Sequence, residues 1–305
     1  MDKNYFNQIR ILDGGMGQEL LARGMEPKGT LWSARALLEE NYHSLVENIH
    51  EDFIKAGAEV IITNTFTSRR ERLKENNLEN KFEILNKKAG EIAIKVKKRY
   101  PKILIAGSLP PQNITYSEDT RDEKEIRCNF YDQAKILDPY IDFFYLDVLS
   151  SVREISIAID SINEFNKPFL IGAHISEGTN LPSGEKLLDI INKIETKNLL
   201  GLILACVSPE NFEKNIIDIK KLGYPFGFKM NAFEKTKISG GYTNNYKKSK
   251  TGNPNEFLGQ RKDLTPQKMA EFAKKFKDAG ATILGGCCET RPAHIKKISE
   301  LLKLI

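Results

Sequence analysis

Two cysteines stand side by side in the stretch GGCCET (285–290), and a third, Cys206, ends the apolar run LLGLILACV. Only four cysteines occur in 305 residues. That is too few for the disulfide framework of a secreted domain, so their chemistry in a reducing compartment is thiol, redox or metal chemistry. Neighbouring residues in a regular strand face opposite sides of the sheet. Cys287 and Cys288 can therefore serve one centre only where the strand has broken into a turn. Gly285 and Gly286 before the pair, and Glu289 and Thr290 leading to a helix started by Pro292, supply such a break. Three thiolates around an open fourth position describe a catalytic zinc site, because a closed structural site needs a fourth protein ligand.

Whether Cys206 reaches the pair depends on the elements that carry them. Runs rich in Ile, Val, Leu and Phe recur along the chain: IRILDGGM, EVIITNTF, KILIAGSL, DFFYLDVL, PFLIGAHI, LLGLILACV, PFGFKMNA and ATILGGCC. Amphipathic segments such as SLVENIHEDFIKAG and TPQKMAEFAKKFKDAG separate them and read as helices. Gly57, Gly223 and Gly280 stand at expected helix ends, and Pro209, Pro266 and Pro292 at expected starts. Strict alternation of strand and helix implies a parallel sheet covered by helices. Eight such units fit a single (β/α)8 (TIM) barrel spanning residues 1–305 better than an open doubly wound sheet. In a barrel the residues that end each strand share one mouth, so Cys206 from the sixth strand meets Cys287 and Cys288 from the eighth.

The remaining candidates carry less chemistry. His174 ends the fifth strand and is either a fourth ligand or, the favoured reading, a hydrogen-bonded core or rim histidine. His43, His50 and His294 fall in expected helices, where exposure is the default, and Cys128 reads as a packing residue. GGMGQE after the first strand lacks the spacing of a dinucleotide-binding turn. The formal charge of +5 is spread along the chain, and the cluster Lys247, Lys248 and Lys250 reads as a solvated loop, which argues against nucleic-acid or membrane partners. With neither a secretory signal nor a membrane-length apolar run, the expectation is a soluble cytoplasmic protein. The longest insertion, about 234–262, follows the seventh strand and would open onto the mouth as a lid or as a loop without a role.

The motifs ILDGGMGQEL, LWSARALLEE, AGAEVIITNTFTS, LACVSPENF and GGCCETRPAHIKKIS together resemble the homocysteine S-methyltransferase family over nearly the whole chain. The resemblance implies zinc bound by Cys206, Cys287 and Cys288, with the homocysteine sulfur as fourth ligand. It implies a methyl donor that is a sulfonium or quaternary ammonium cation: S-methylmethionine, betaine, dimethylsulfoniopropionate or S-adenosylmethionine. It places Asp13 and Gly14 near the amino-acid end of the substrate and matches Trp32, the only tryptophan, to a residue that can face a methylated cation. Thr65, at the end of the second strand, is a lining candidate, and Asn231, after the seventh, matches a family asparagine whose amide could fix a ligand ligated nearby. Small-molecule substrates are the expected partners, and the family is often oligomeric.

The chain also departs from the family. Asp147-Val148 replaces the Glu-Thr at the end of the fourth strand, where the family's carboxylate helps bind the substrate amino group. Ala205 replaces an asparagine before the strand-six cysteine, LPPQNITY (109–116) replaces a Gly-Pro after the third strand, and Arg69 stands where the betaine enzymes carry a tyrosine. These changes touch the substrate pocket more than the metal ligands. Two alternatives accompany the methyltransferase reading: a zinc barrel that activates water for hydrolysis or cleavage, and a non-catalytic zinc-binding homologue.

Overall fold

The computed structural model describes residues 1–175, 178–235 and 258–303. The eight apolar runs form β1 (Arg10–Ile11), β2 (Val60–Ile62), β3 (Leu104–Leu109), β4 (Phe143–Leu149), β5 (Phe169–Ala173), β6 (Leu199–Val207), β7 (Phe226–Met230) and β8 (Ile283–Gly286). All pairings are parallel and follow chain order, and β1 pairs with β8. The ring closes between β1 and β2, where Leu12 bridges Val60 and the Asp13 N–H donates to the Val60 carbonyl. This is the (β/α)8 barrel that the alternating pattern implies.

Parallel neighbours need crossover connections. A ring helix follows each strand: α1 (His43–Lys55), α2 (Phe82–Arg99), α3 (Glu123–Leu137), α4 (Val152–Ile162), α5 (Leu187–Lys193), α6 (Pro209–Lys220), α7 (Pro266–Asp278) and α8 (Pro292–Lys303). Side chains of Asp122, Ser151, Ser208 and Thr265 accept hydrogen bonds from first-turn N–H groups of α3, α4, α6 and α7. Those groups have no partner within the helix, so such caps satisfy them. Gly57, Gly223 and Gly280 follow α1, α6 and α7 with positive φ, as expected of helix-ending glycines. The long connection after β7 lies in part, at 236–257, outside the described residues.

Buried side chains fall into three groups. The barrel interior holds Leu12, Val60, Ile62, Phe143, Tyr145, Leu170 and Ile283, and Phe6 meets Phe143 edge-on with ring centroids 5.8 Å apart. A larger cluster lies between strands and ring helices. The third sits at the mouth and contains Tyr116, Val148, Cys206, Phe233 and Cys288. β4 is buried at every position because both faces of the strand are covered. Among the described residues no helix is long and apolar enough to cross a membrane.

Three expectations fail at helix surfaces. His50 is fully buried with neither ring nitrogen partnered among the described residues, and burial pushes its pKa down to about 4. His294 is buried too, with Nε2–H donating to the Leu264 carbonyl and Nδ1 accepting from the Arg291 N–H. Ring helices are covered by their neighbours as well as by the barrel, and α1 packs against α2, α8 and the short helix Met16–Ala22, so the exposed face is narrower than a two-sided amphipathic pattern assumes. Cys128 on α3, expected to pack, is exposed.

Glu154, in the first turn of α4, is wholly buried and accepts the Ser150 N–H at 2.9 Å. Burial pushes its pKa up to about 8, against that hydrogen bond. The unfolded chain releases this proton near the ordinary value of 4.5 and the native protein holds it to about 8, so native stability falls as pH rises through that window. Glu154→Gln should flatten that dependence and raise the melting temperature at pH 8 relative to wild type; thermal unfolding of both proteins at about pH 5 and pH 8 checks it.

Candidate functional site

Two local breaks bring the cysteines together. The pairing of β6 with β7 is irregular between Ala205 and Val207, and Cys206 at that point has φ 55°. A bulge of this kind re-aims a side chain that a regular strand would direct elsewhere. β8 ends at Gly286, and the pair follows in a turn where the Cys287 N–H donates to the Met230 carbonyl at 2.7 Å and the Thr290 N–H donates to the Cys287 carbonyl at 3.1 Å. The β1 end presses against this turn: a Cβ on Gly15 would lie 2.6 Å from the Cys287 carbonyl oxygen, so only glycine fits. Cys206 and Cys288 sulfurs are then 3.8 Å apart, Cys287 and Cys288 sulfurs 4.0 Å, and all three lie within 4.8 Å of one another.

The three thiols are not equivalent. Burial pushes Cys206 up, but its hydrogen bonds with the two other thiols and with the Tyr116 hydroxyl, 3.1 Å away, hold it well below the usual thiol range. Cys287 and Cys288 are pushed well above that range, chiefly by their hydrogen bonding with Cys206. The Asn231 amide donates to the Cys206 carbonyl at 2.7 Å and reaches its sulfur at 3.7 Å. His174 is not part of the sulfur group: its Nδ1–H donates to the Ala205 carbonyl at 3.1 Å and its ring lies 4.3 Å from that of Tyr116.

The sulfurs open into a cavity lined by Asp13, Gly14, Trp32, Phe66, Asp147 and Lys229 among others. The Asp13 Oδ2 accepts the Ile62 N–H at 2.8 Å and its Oδ1 lies 3.4 Å from the Lys229 ammonium. Asp147 accepts the Ser108 hydroxyl at 2.9 Å, and burial pushes its pKa up to about 6 against the attraction of Lys229. The Trp32 indole lies so close over Gly17 that a Cβ there would sit 2.2 Å from its ring. Thr65 is placed behind the wall, its hydroxyl donating to the Ser108 carbonyl, while Thr63 and Asn64 line the cavity. Asn231 likewise is not among the cavity-lining residues; it holds Cys206.

Lys229 and Tyr116 escape sequence reasoning. Lys229 is a charged residue inside the apolar run PFGFKMNA, and Tyr116 belongs to a loop of irregular backbone with φ 66°. The tyrosine that the betaine enzymes carry after the second strand is absent, yet a tyrosine hydroxyl from the β3–α3 connection stands at the sulfur group.

Fold and site together define a (β/α)8 barrel enzyme with a candidate three-sulfur metal centre at the C-terminal ends of its strands. A family model described as homocysteine S-methyltransferase matches residues 10–302, and the chain belongs to that family. Homocysteine S-methyltransferase 1 of Saccharomyces cerevisiae is 27% identical over 332 residues, covering 96% of this chain and 94% of the yeast protein. A selenocysteine methyltransferase of Astragalus bisulcatus is 23% identical over 331 residues, covering 96% and 92%. The crystal structure of the homocysteine methyltransferase MmuM from Escherichia coli in its metallated form covers 96% of each chain with a TM-score of 0.78 at 21% identity, a likeness of fold.

Because Gly15 packs on the Cys287 carbonyl, Gly15→Ala should displace the cysteine turn and weaken metal retention at least tenfold while the protein stays folded. Metal content after dialysis against a graded chelator, with circular dichroism as the folding control, checks this.

Proposed function

We propose that the protein transfers a methyl group from a sulfonium or quaternary ammonium cation to the thiol of homocysteine, giving methionine. The observation that carries this reading is the set of three sulfurs within 4.8 Å of one another at a cavity wall. Sulfur ligands placed tetrahedrally about 2.3 Å from zinc stand roughly 3.8 Å apart, close to the separations found at Cys288, so the donor set fits zinc at Cys206, Cys287 and Cys288. Bound there, zinc would supply a Lewis-acid site with one open position that keeps an acceptor thiol deprotonated at neutral pH.

The chain's own groups do the rest. Asn231 holds Cys206 through its carbonyl and sulfur, fixing one corner of the ligand set. Asp147 and Asp13 present carboxyl groups to the acceptor's ammonium. Aspartate is one methylene shorter than the glutamate of the family pattern, so the ammonium must sit closer to β4. Trp32, Phe66, Tyr116 and Phe233 line the same cavity and offer ring faces that attract a methylated cation. In the transfer the bond between methyl carbon and donor sulfur or nitrogen breaks as the carbon–sulfur bond of the acceptor forms, and the donor leaves as a neutral thioether or amine. The neutral product loses its attraction to the ring faces, which favours release.

Zinc-loaded protein should convert homocysteine to methionine with at least one of S-methylmethionine, betaine, dimethylsulfoniopropionate and S-adenosylmethionine, each supplied separately and read by mass spectrometry. Cys288→Ala should lose both stoichiometric zinc and turnover. A zinc-free variant that still methylates at the wild-type rate would end this reading.

A further inference from the structure

We infer that Lys229 is the group that recognises the acceptor's carboxylate, and so makes the site selective for a thiol that is also an amino acid. The inference rests on the methyl-transfer reading above and names a specificity residue within it. Lys229 lies on β7 between Ala205 of β6 and Gly285 of β8 in register. Both neighbours are small, and a Cβ on Gly285 would already stand 3.5 Å from the Lys229 Cγ, so the two strands leave the lysine room to extend into the barrel mouth. It is 6% exposed and lines the same cavity as the three sulfurs.

A buried ammonium has three N–H donors to satisfy. Among the described residues its hydrogen-bond acceptor is Asp13 Oδ1, at the long distance of 3.4 Å, and the Tyr145 ring centroid is 5.7 Å away. Asp13 is already engaged by the Ile62 N–H, and Asp147 by the Ser108 hydroxyl. A lysine that served only to neutralise these two carboxylates would be expected to sit tightly between them; this one pairs loosely with one and keeps donor capacity facing the cavity. Gln18 lines the cavity as well, and among the described residues neither atom of its buried amide has a partner. Unmet donors beside two carboxylates fit a ligand with both signs of charge. Its ammonium goes to Asp147 and Asp13, and its carboxylate to Lys229. Homocysteine carries this pair of charges, and 3-aminopropane-1-thiol is the same molecule without the carboxylate.

Wild-type, Lys229→Met and Lys229→Arg proteins, all zinc-loaded, would be titrated with the two thiols by the fluorescence of Trp32, the only tryptophan, with KM and kcat measured in parallel. Wild type should bind homocysteine about thirtyfold more tightly than 3-aminopropane-1-thiol, the scale of one hydrogen bond between charged groups. Lys229→Met should erase that preference by weakening homocysteine alone, raising KM with little change in kcat, and Lys229→Arg should restore most of it. Equal weakening of both thiols in Lys229→Met, or unchanged binding of both, would overturn the inference. If Lys229→Met fails to fold, equal affinity of wild type for the two thiols overturns it. Failure of the methyl-transfer reading is separately visible, as a wild type that binds homocysteine selectively but methylates it with none of the four donors.

Discussion

Three sulfur atoms can lie within 4.8 Å of one another here because β6 and β8 each stop behaving as strands where their cysteines occur. A regular strand would turn Cys287 and Cys288 to opposite sides. The backbone conformation that prevents this carries strain. Trp32, Tyr116, Val148, Cys206 and Glu289 all have positive φ without being glycine, and all stand at or beside the mouth. For β-branched Val148 this is a conformation the side chain resists, costing on the order of 1–3 kcal/mol. The surrounding barrel holds it in place, since Val148 lies within β4, which is paired with β3 and β5 and buried at every position.

The same mouth gathers buried charge of both signs in one cavity. Asp13, Asp147 and Lys229 are each almost fully buried within one cavity, and the sulfur group adds further negative charge when ionised. Burial raises both carboxyl groups, and it works against the lysine, which Asp13 and Asp147 hold above the ordinary range. Buried charges persist when partners or ligands compensate them. A charged wall and an aromatic wall in a single cavity suit a reaction in which a zwitterionic acceptor meets a cationic donor and charge is lost on one side.

Legibility of the site followed from how local each signal is. Cys206, Cys287 and Cys288 could be grouped from sequence because the eightfold alternation puts every strand end at one mouth, whatever the distance along the chain. Asp13 and Asp147 were legible through the family resemblance, which marks the ends of the first and fourth strands as substrate-binding positions. The DGG stretch also proved to have a packing role, since Gly15 must admit the Cys287 carbonyl. Thr65 shares a strand end with Thr63 and Asn64, and which of the three faces the cavity depends on local backbone turns that the residue types do not reveal. His50 is buried against expectation because a ring helix is covered on its flanks by its neighbours, which a helical periodicity alone does not register, whereas Cys128 falls on the exposed face of its helix.

By itself the sequence determined the barrel, the order of its strands and the grouping of Cys206, Cys287 and Cys288, because periodicity, turn residues and a paired cysteine act over a few residues each. The tertiary structure alone decided that the Tyr116 hydroxyl stands 3.1 Å from Cys206 and that Lys229 reaches Asp13. Those contacts join residues 90 and 216 positions apart. They depend on the bulge at Cys206, the left-handed turn at Tyr116 and the space left by Ala205 and Gly285, features set by the packing of the whole ring rather than by any segment of it.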